Sequence, residues 1–399
     1  MKKTLLTICL VWMCFSLSAQ KIIDLSGKWS FSIDRQDNGE KEKWFSHTLN
    51  DFINLPGSMP EKQKGDEVTA KTQWTGSLYD SSYYYNPYME KYRKEGNIKF
   101  PFFLTPDKHY VGAAWYQKEV NIPADWKGER ILLFLERPHI ETTVWVNGQK
   151  TGMQNSLCVP HQYDITHYVR PGKCTITIRV DNRIKEINVG PDSHSITDQT
   201  QGNWNGIVGR ICLQTTPKTY FDDIQIYPEP EQKLARVKVV IKGTGTAKVK
   251  LSAESFNTDK KHIVPAIQQE IKLNKGVTET EMVLPMGNDM LLWDEFHPAL
   301  YKLKAEVTNG KKTEIKEIQF GMRRFEIKGK WFYVNGRKTQ LRGTVENCDF
   351  PLTGYAPMDV ESWERVFRIC RSYGLNHMRF HSFCPPEAAF MAADRVGFY

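Results

Sequence analysis

The chain has 399 residues, 40% of them apolar and 12% aromatic, which predicts folded material in two or three domains. Its formal charge of +8 comes from 54 Lys and Arg against 46 Asp and Glu, with bases scattered among acids as in Lys41-Glu42-Lys43. A nucleic-acid binder would carry a concentrated basic stripe, so no nucleic-acid partner is expected.

Residues 1–19 read as a secretory signal peptide. Lys2 and Lys3 precede an apolar run over 5–17, and Ser18-Ala19-Gln20 supplies a small residue for cleavage after Ala19. The run is too short for an ordinary spanning helix. A secreted or periplasmic chain with no membrane span after cleavage is therefore expected. Two of the eight cysteines, Cys9 and Cys14, fall in this leader. The other six, Cys158, Cys174, Cys212, Cys348, Cys370 and Cys384, form no close-spaced metal pattern. Export permits disulfides, but a chain this long does not need them, and mostly buried free thiols are expected.

Residues 20–218 read as strands and loops. Trp29-Ser30-Phe31-Ser32-Ile33 alternates with period two. Further strands are predicted at 114–120, 130–136, 142–146, 174–180 and 210–215, with Asn147-Gly148 as a tight hairpin turn. Many short strands punctuated by Gly, Pro and Asn indicate a jelly-roll β-sandwich. Two loops are unusual: 74–92 holds Tyr79, Tyr83, Tyr84, Tyr85, Tyr88 and Tyr92, and Asn203-Trp204-Asn205-Gly206 follows late in the domain. Aromatic rings beside amides suit sugar faces and hydroxyls. The plainer reading, which the residues favour for the tyrosines, is that they pack the long loop against the sandwich or another domain.

Residues 219–321 carry about seven short strands, at 220–227, 235–241, 247–252, 270–273, 280–284, 300–307 and 313–320. That count suits an immunoglobulin-like β-sandwich. His262 and His297 are isolated, and no chemistry is expected here. The domain reads as a spacer that lets a first-domain loop reach a later active-site rim.

Residues 322–399 change character. A strand pair with an Asn335-Gly336 turn leads to a strand over 338–343. Asp359 is placed to cap a helix, Glu361 lies in its first turn, and Val360, Trp363, Val366, Phe367, Cys370 and Tyr373 make one apolar face. Gly374 can end that helix. A second strand follows at 375–380, then a helix opening at Pro385 or Pro386 and ending before Gly397. Repeated strand and helix favour a parallel sheet, either doubly wound or closed as a barrel.

Several fragments together resemble glycoside hydrolase family 2, which includes β-galactosidases, β-glucuronidases and β-mannosidases. They are Ala114-Trp115-Tyr116-Gln117-Lys118, Thr143-Val144-Trp145-Val146-Asn147-Gly148, Tyr163-Asp164-Ile165-Thr166 and Asn205-Gly206-Ile207-Val208-Gly209 in the first domain. In the last domain they are Leu341-Arg342-Gly343, Gly374-Leu375-Asn376-His377-Met378-Arg379-Phe380-His381, and the run Ala393 onward. The resemblance implies that residues 322–399 are the incomplete start of a (β/α)8 TIM barrel, in which residues at strand C-terminal ends face the active site. Arg342, Glu346, Asn347 and Asp349 would then lie at or after the first strand, and Arg379, His381 and Ser382 around the end of the second. Of these, Arg342 and Arg379 would support the barrel mouth, with His381 and Asn347 approaching a carbohydrate substrate. Glu346-Asn347-Cys348 and the loop 351–355 depart from the family pattern.

Retaining hydrolysis needs two carboxylates roughly 5 Å apart. The family resemblance places both beyond residue 399, so no catalytic residue is assigned, and the chain alone is expected to be inactive and poorly folded in its last segment. Glu346 with Asp349, three residues apart in one loop, is a poor substitute. No oxygen-ligand cluster is visible, so no metal or cofactor is expected. The alternative is a non-catalytic carbohydrate-binding protein made of the two sandwiches.

Overall fold

A computed structural model describes residues 20–75, 82–186, 189–190, 193–200 and 202–399. The expected leader and Tyr79 lie outside the described residues. In the first unit, one antiparallel sheet runs Gln149–Asn155, Glu141–Val146, Gly172–Asp181, Ala113–Ile122, Gly27–Asp34, Asp51–Leu55 in spatial order. The other runs Ile22–Asp24, Gly206–Thr216, Arg130–Pro138, His161–Asp164. Alternation along the strands sends Trp29, Phe31, Tyr116, Ile178, Leu133 and Leu213 into one core, each worth about 1.5–3 kcal/mol of burial. The Asn147-Gly148 turn has positive φ at both residues, 50° and 78°, the geometry that matches strand twist in a two-residue hairpin. Trp115 and Trp145 pack together in a second cluster with Leu49.

The second unit differs from the sequence expectation in one respect. Residues 235–241 and 247–252 belong to a single strand, Leu234–Phe256, and residues 270–273 and 280–284 to another, Ile263–Pro285. The first strand pairs with Tyr220–Glu229 along its front half and with Leu300–Asn309 along its back half. Its register with Ile263–Pro285 shifts between Gly243 and Gly245. Glycines here let the strand change direction without ending, so five strands do the work expected of seven. His262 is structural, its Nδ1 lying 2.6 Å from the Tyr301 hydroxyl.

In the third unit Phe325–Lys328, Trp331–Val334 and Arg337–Thr339 form an antiparallel meander. The strand expected over 338–343 is therefore corrected. The Asn335-Gly336 turn, with φ of 50° and 76°, folds Arg337–Thr339 back on Trp331–Val334. The parallel strand starts afresh at Gly343 and runs Gly343–Glu346 beside His377–Phe380. Between them lies the helix Val360–Ser372, whose Asp359 carboxylate accepts the Ser362 N–H at 2.8 Å. The helix Glu387–Val396 follows, and Gly374 and Gly397 close the two helices with φ of 80° and 75°. Trp363, Phe367, Met378, Ala389, Val396 and Phe398 form a separate small core.

A knot of polar contacts ties this unit to the second. Arg371 Nη1 donates to the Glu295 carbonyl at 2.6 Å, Asn376 Nδ2 donates to the Glu295 carboxylate, and Trp293 Nε1 donates to the Asp394 carbonyl at 2.7 Å. Among the described residues no helix is long and apolar enough to cross a membrane.

Candidate active-site rim

Because the two short strands run parallel, Glu346 and Phe380 end at the same level. The turns that follow therefore open on one side of the unit, and the His381 N–H donates to the Glu346 carbonyl at 2.8 Å to hold them together. Cys348 and Ser382 both adopt left-handed φ, 64° and 57°, which turns each chain sharply away from its strand. The Cys348 N–H donates to the Glu346 carboxylate at 2.8 Å. Burial raises the Glu346 pKa, and this hydrogen bond opposes the rise.

The first sandwich completes the rim. Its loop 193–200 crosses to these turns, where Ser193 Oγ donates to the Ser382 carbonyl at 3.1 Å. His194 Nδ1 lies 2.9 Å from the Asn347 carbonyl, which can only accept, so that nitrogen carries the proton. In neutral His194 the other nitrogen, Nε2, is then a bare acceptor 3.2 Å from His381 Nδ1. His381 Nδ1–H donates to it, which leaves His381 Nε2 as a free lone pair, suited to accepting a sugar hydroxyl. Partial burial lowers the His381 pKa, with His194 and Arg379 adding to the effect. The His381 ring is thus disposed to remain neutral.

The sequence-named residues separate into two groups. Asn347 and His381 lie together at this rim. Arg379 is exposed on the strand just before His381. Arg342 is elsewhere, and its expected place at the mouth is corrected. With the strand beginning at Gly343, Arg342 stands at the opposite end. There its Nε donates to the Gly374 carbonyl at 2.7 Å, and its Nη2 lies 3.6 Å from the Glu295 carboxylate. The neighbouring Gly343 is needed because a Cβ there would come within 2.5 Å of His377 Nδ1.

The amide-rich loop is also corrected as a sugar platform. Asn203 and Trp204 are each 3% exposed and Asn205 is fully buried. Asn205 joins the Tyr116 hydroxyl to the Gly112 and Val180 carbonyls, and Trp204 stacks on His139 with centroids 4.5 Å apart. The tyrosine loop divides. Tyr83 packs between Trp74 and Phe100, whereas Tyr85 and Tyr88 stand in solvent, Tyr88 at 85% exposure. His194 was not identified from sequence, since a single histidine in a polar loop carries no periodic signal. Among the described residues no trio of His, Cys, Asp or Glu is placed to hold a metal ion, and Asp349 is exposed while Glu346 closes its own turn.

Two sandwiches in series, with a loop of the first laid across the strand ends of a following parallel unit, define the layout of a multidomain protein. The pattern described as glycosyl hydrolases family 2, sugar binding domain, matches residues 22–217, and that described as glycosyl hydrolases family 2 matches 219–323. The chain belongs to glycosyl hydrolase family 2. It is 27% identical over 301 residues to a putative beta-glucuronidase of Formosa agariphila, covering 74% of this chain and 35% of that protein. It is 24% identical over 409 residues to human beta-glucuronidase, covering 94% of this chain and 56% of that one. A family 2 member from Bacteroides cellulosilyticus superposes with a TM-score of 0.67 at 20% identity, over 94% of this chain and 46% of the other. The beta-glucuronidase of Ruminococcus gnavus in complex with D-glucuronic acid gives 0.66 at 19% identity, over 95% and 59%. The chain thus spans between about a third and three fifths of the length of these relatives.

Proposed function

We propose that these residues form the front of an exported, retaining exo-β-glycosidase that removes a terminal sugar, of the glucuronide or galactoside type, from larger carbohydrates. The parallel strand–helix–strand–helix unit is the opening of its (β/α)8 barrel, and the rim of His194, Asn347 and His381 binds the sugar. The observation that carries this reading is the His194–His381 contact. A first-domain loop reaches the C-terminal ends of the parallel strands, the face on which barrel enzymes bind substrate.

The mechanism divides the labour. Neutral His381, held by His194, orients a sugar hydroxyl and helps exclude water. The acid/base and the nucleophile of a retaining reaction are a carboxylate pair roughly 5 Å apart, which strands beyond these 399 residues supply. Glu346 does not serve, because its carboxylate is engaged by its own turn.

The test is hydrolysis of a panel of chromogenic β-glycosides by these residues alone and joined to the remaining barrel strands of a family 2 β-glucuronidase. The joined protein is expected to turn over, with KM raised about tenfold or more by His381→Ala. Turnover by the 399 residues alone, or a His381→Ala protein with unchanged KM, contradicts the reading.

A further inference from the structure

Three cysteines far apart in sequence meet where the first sandwich touches the third unit. Cys158, Cys348 and Cys384 line one small cleft, together with Arg137 and Phe383. Arg137, at the end of Arg130–Pro138, reaches out of the sheet. Its Nη2 donates to the Cys158 carbonyl at 3.3 Å, the Cys384 carbonyl at 2.9 Å and the Pro385 carbonyl at 3.2 Å. Sharing one donor nitrogen brings the two backbone segments together at this cleft, and a disulfide joins cysteines whose Cα atoms are about 4.4–6.8 Å apart.

We propose that Cys158 and Cys384 are a disulfide-forming pair that, once oxidised, staples the first sandwich to the loop bearing His381. The accessibility of the two thiols is complementary, since Cys384 is exposed and Cys158 half-buried. Burial raises the Cys158 pKa, Arg137 opposes the rise, and the Cys384 thiol adds to it, so Cys384 lies near enough to act on the Cys158 sulfur. Cys348 is the worse partner because it is buried away from solvent. A metal cup is the other use of three thiols, but among the described residues no such trio has metal-binding geometry.

The chemistry is thiol–disulfide exchange. The Cys384 thiolate attacks one sulfur of an oxidant disulfide, either oxidised glutathione or an exported protein disulfide, and expels a thiolate. Cys158 then gives up its proton to solvent and attacks Cys384 sulfur, expelling the second thiol. Two cysteine thiols are oxidised and one oxidant disulfide is reduced. The bond would close a long loop that includes the whole second domain, which constrains the unfolded chain, and would fix Ser382 and His381 against loop 193–200. In the cell this rests on the proposed export, because a reducing cytosol would keep both thiols free.

The experiment treats the reduced, folded protein with oxidised glutathione and maps its peptides without reduction. A linked pair of peptides containing Cys158 and Cys384 is expected, retained in Cys348→Ser. In Cys158→Ser a glutathione should remain on Cys384. Persistent glutathione on Cys384 of the unsubstituted protein, or a link through Cys348, overturns the proposal. Mapping protein recovered from an oxidising compartment then separates the two readings. A link made in the tube but absent there counts against export and leaves the pairing intact.

Discussion

His194 and His381, 187 positions apart in the chain, lie ring against ring with centroids 4.5 Å apart. One proton serves the bond between them, and a second would set two cations in contact. Burial lowers the tendency of His381 to charge, and the His194 ring adds to that effect. The expected outcome is that His381 titrates below the ordinary 6.5 and that His194→Gln moves it back upward, read from imidazole carbon shifts by NMR. The sign for stability follows. A lowered folded-state pKa means the unfolded chain binds more protons, so the contribution is intact above pH 6.5 and is lost as pH falls through the folded value. An unchanged His381 titration in His194→Gln would show that the contact does not act on it.

A deeper histidine gives a larger effect of the same sign. His161 is buried, with Nδ1 2.6 Å from Thr142 Oγ1, and burial lowers its pKa to about 4. Its neutral form is fully stabilising above pH 6.5, and the contribution falls away between there and pH 4, a loss of about 3 kcal/mol at 1.36 kcal/mol per unit. Urea unfolding at pH 7 and pH 4.5 should show a steeper loss for the native residue than for His161→Asn. Equal slopes would mean the site charges without penalty.

Arg342 and Asn347 should fail in different ways. Arg342→Ala removes the bond to Gly374 and the approach to Glu295, far from the rim, and should cost about 1–2 kcal/mol of stability with little change in sugar affinity. Asn347→Ala keeps the backbone carbonyl that holds His194 and removes only the side chain, so its effect should fall on affinity. Thermal unfolding and saturation-transfer NMR separate the two. Loss of affinity in Arg342→Ala at normal stability would return that residue to the mouth.

The loop carrying His194 leaves the sheet at Asp181, which is fully buried and receives Arg179, Arg183 and Lys185 at 3.0, 2.6 and 2.8 Å. These cations hold its carboxyl well below the usual range. Asp181→Asn leaves the three cations to share Glu141 and the more exposed Asp37, and is expected to cost about 3 kcal/mol. It should also broaden the His194 signals, since Arg183 is the second residue of that loop. A stable variant with sharp His194 signals would place the anchor elsewhere.

Local chemistry made much of the fold legible in the sequence. Trp29 and Phe31 announce a half-buried strand by their spacing, Asn147-Gly148 announces its turn, and Asp359 with Gly374 marks both ends of a helix. What escaped depended on distant partners. Arg337–Thr339 reads equally well as the start of a barrel strand or the third leg of a meander, and the pairing with Trp331–Val334 decides. Gly243 and Gly245 read as strand breaks, yet a strand covered on both halves bends there instead. His381 was visible because it follows a strand, while His194 and Arg137 gain their roles only from residues 187 and 247 positions away.

The central claim is that the His194–Asn347–His381 rim takes a sugar, and titration of isotope-labelled protein with D-glucuronic acid tests it most directly. Saturable shifts at His194 and His381, with His139 and His161 in the sandwich interior unmoved, are the result the account predicts. No response at the two rim histidines up to millimolar sugar, or shifts confined to another surface, would contradict it.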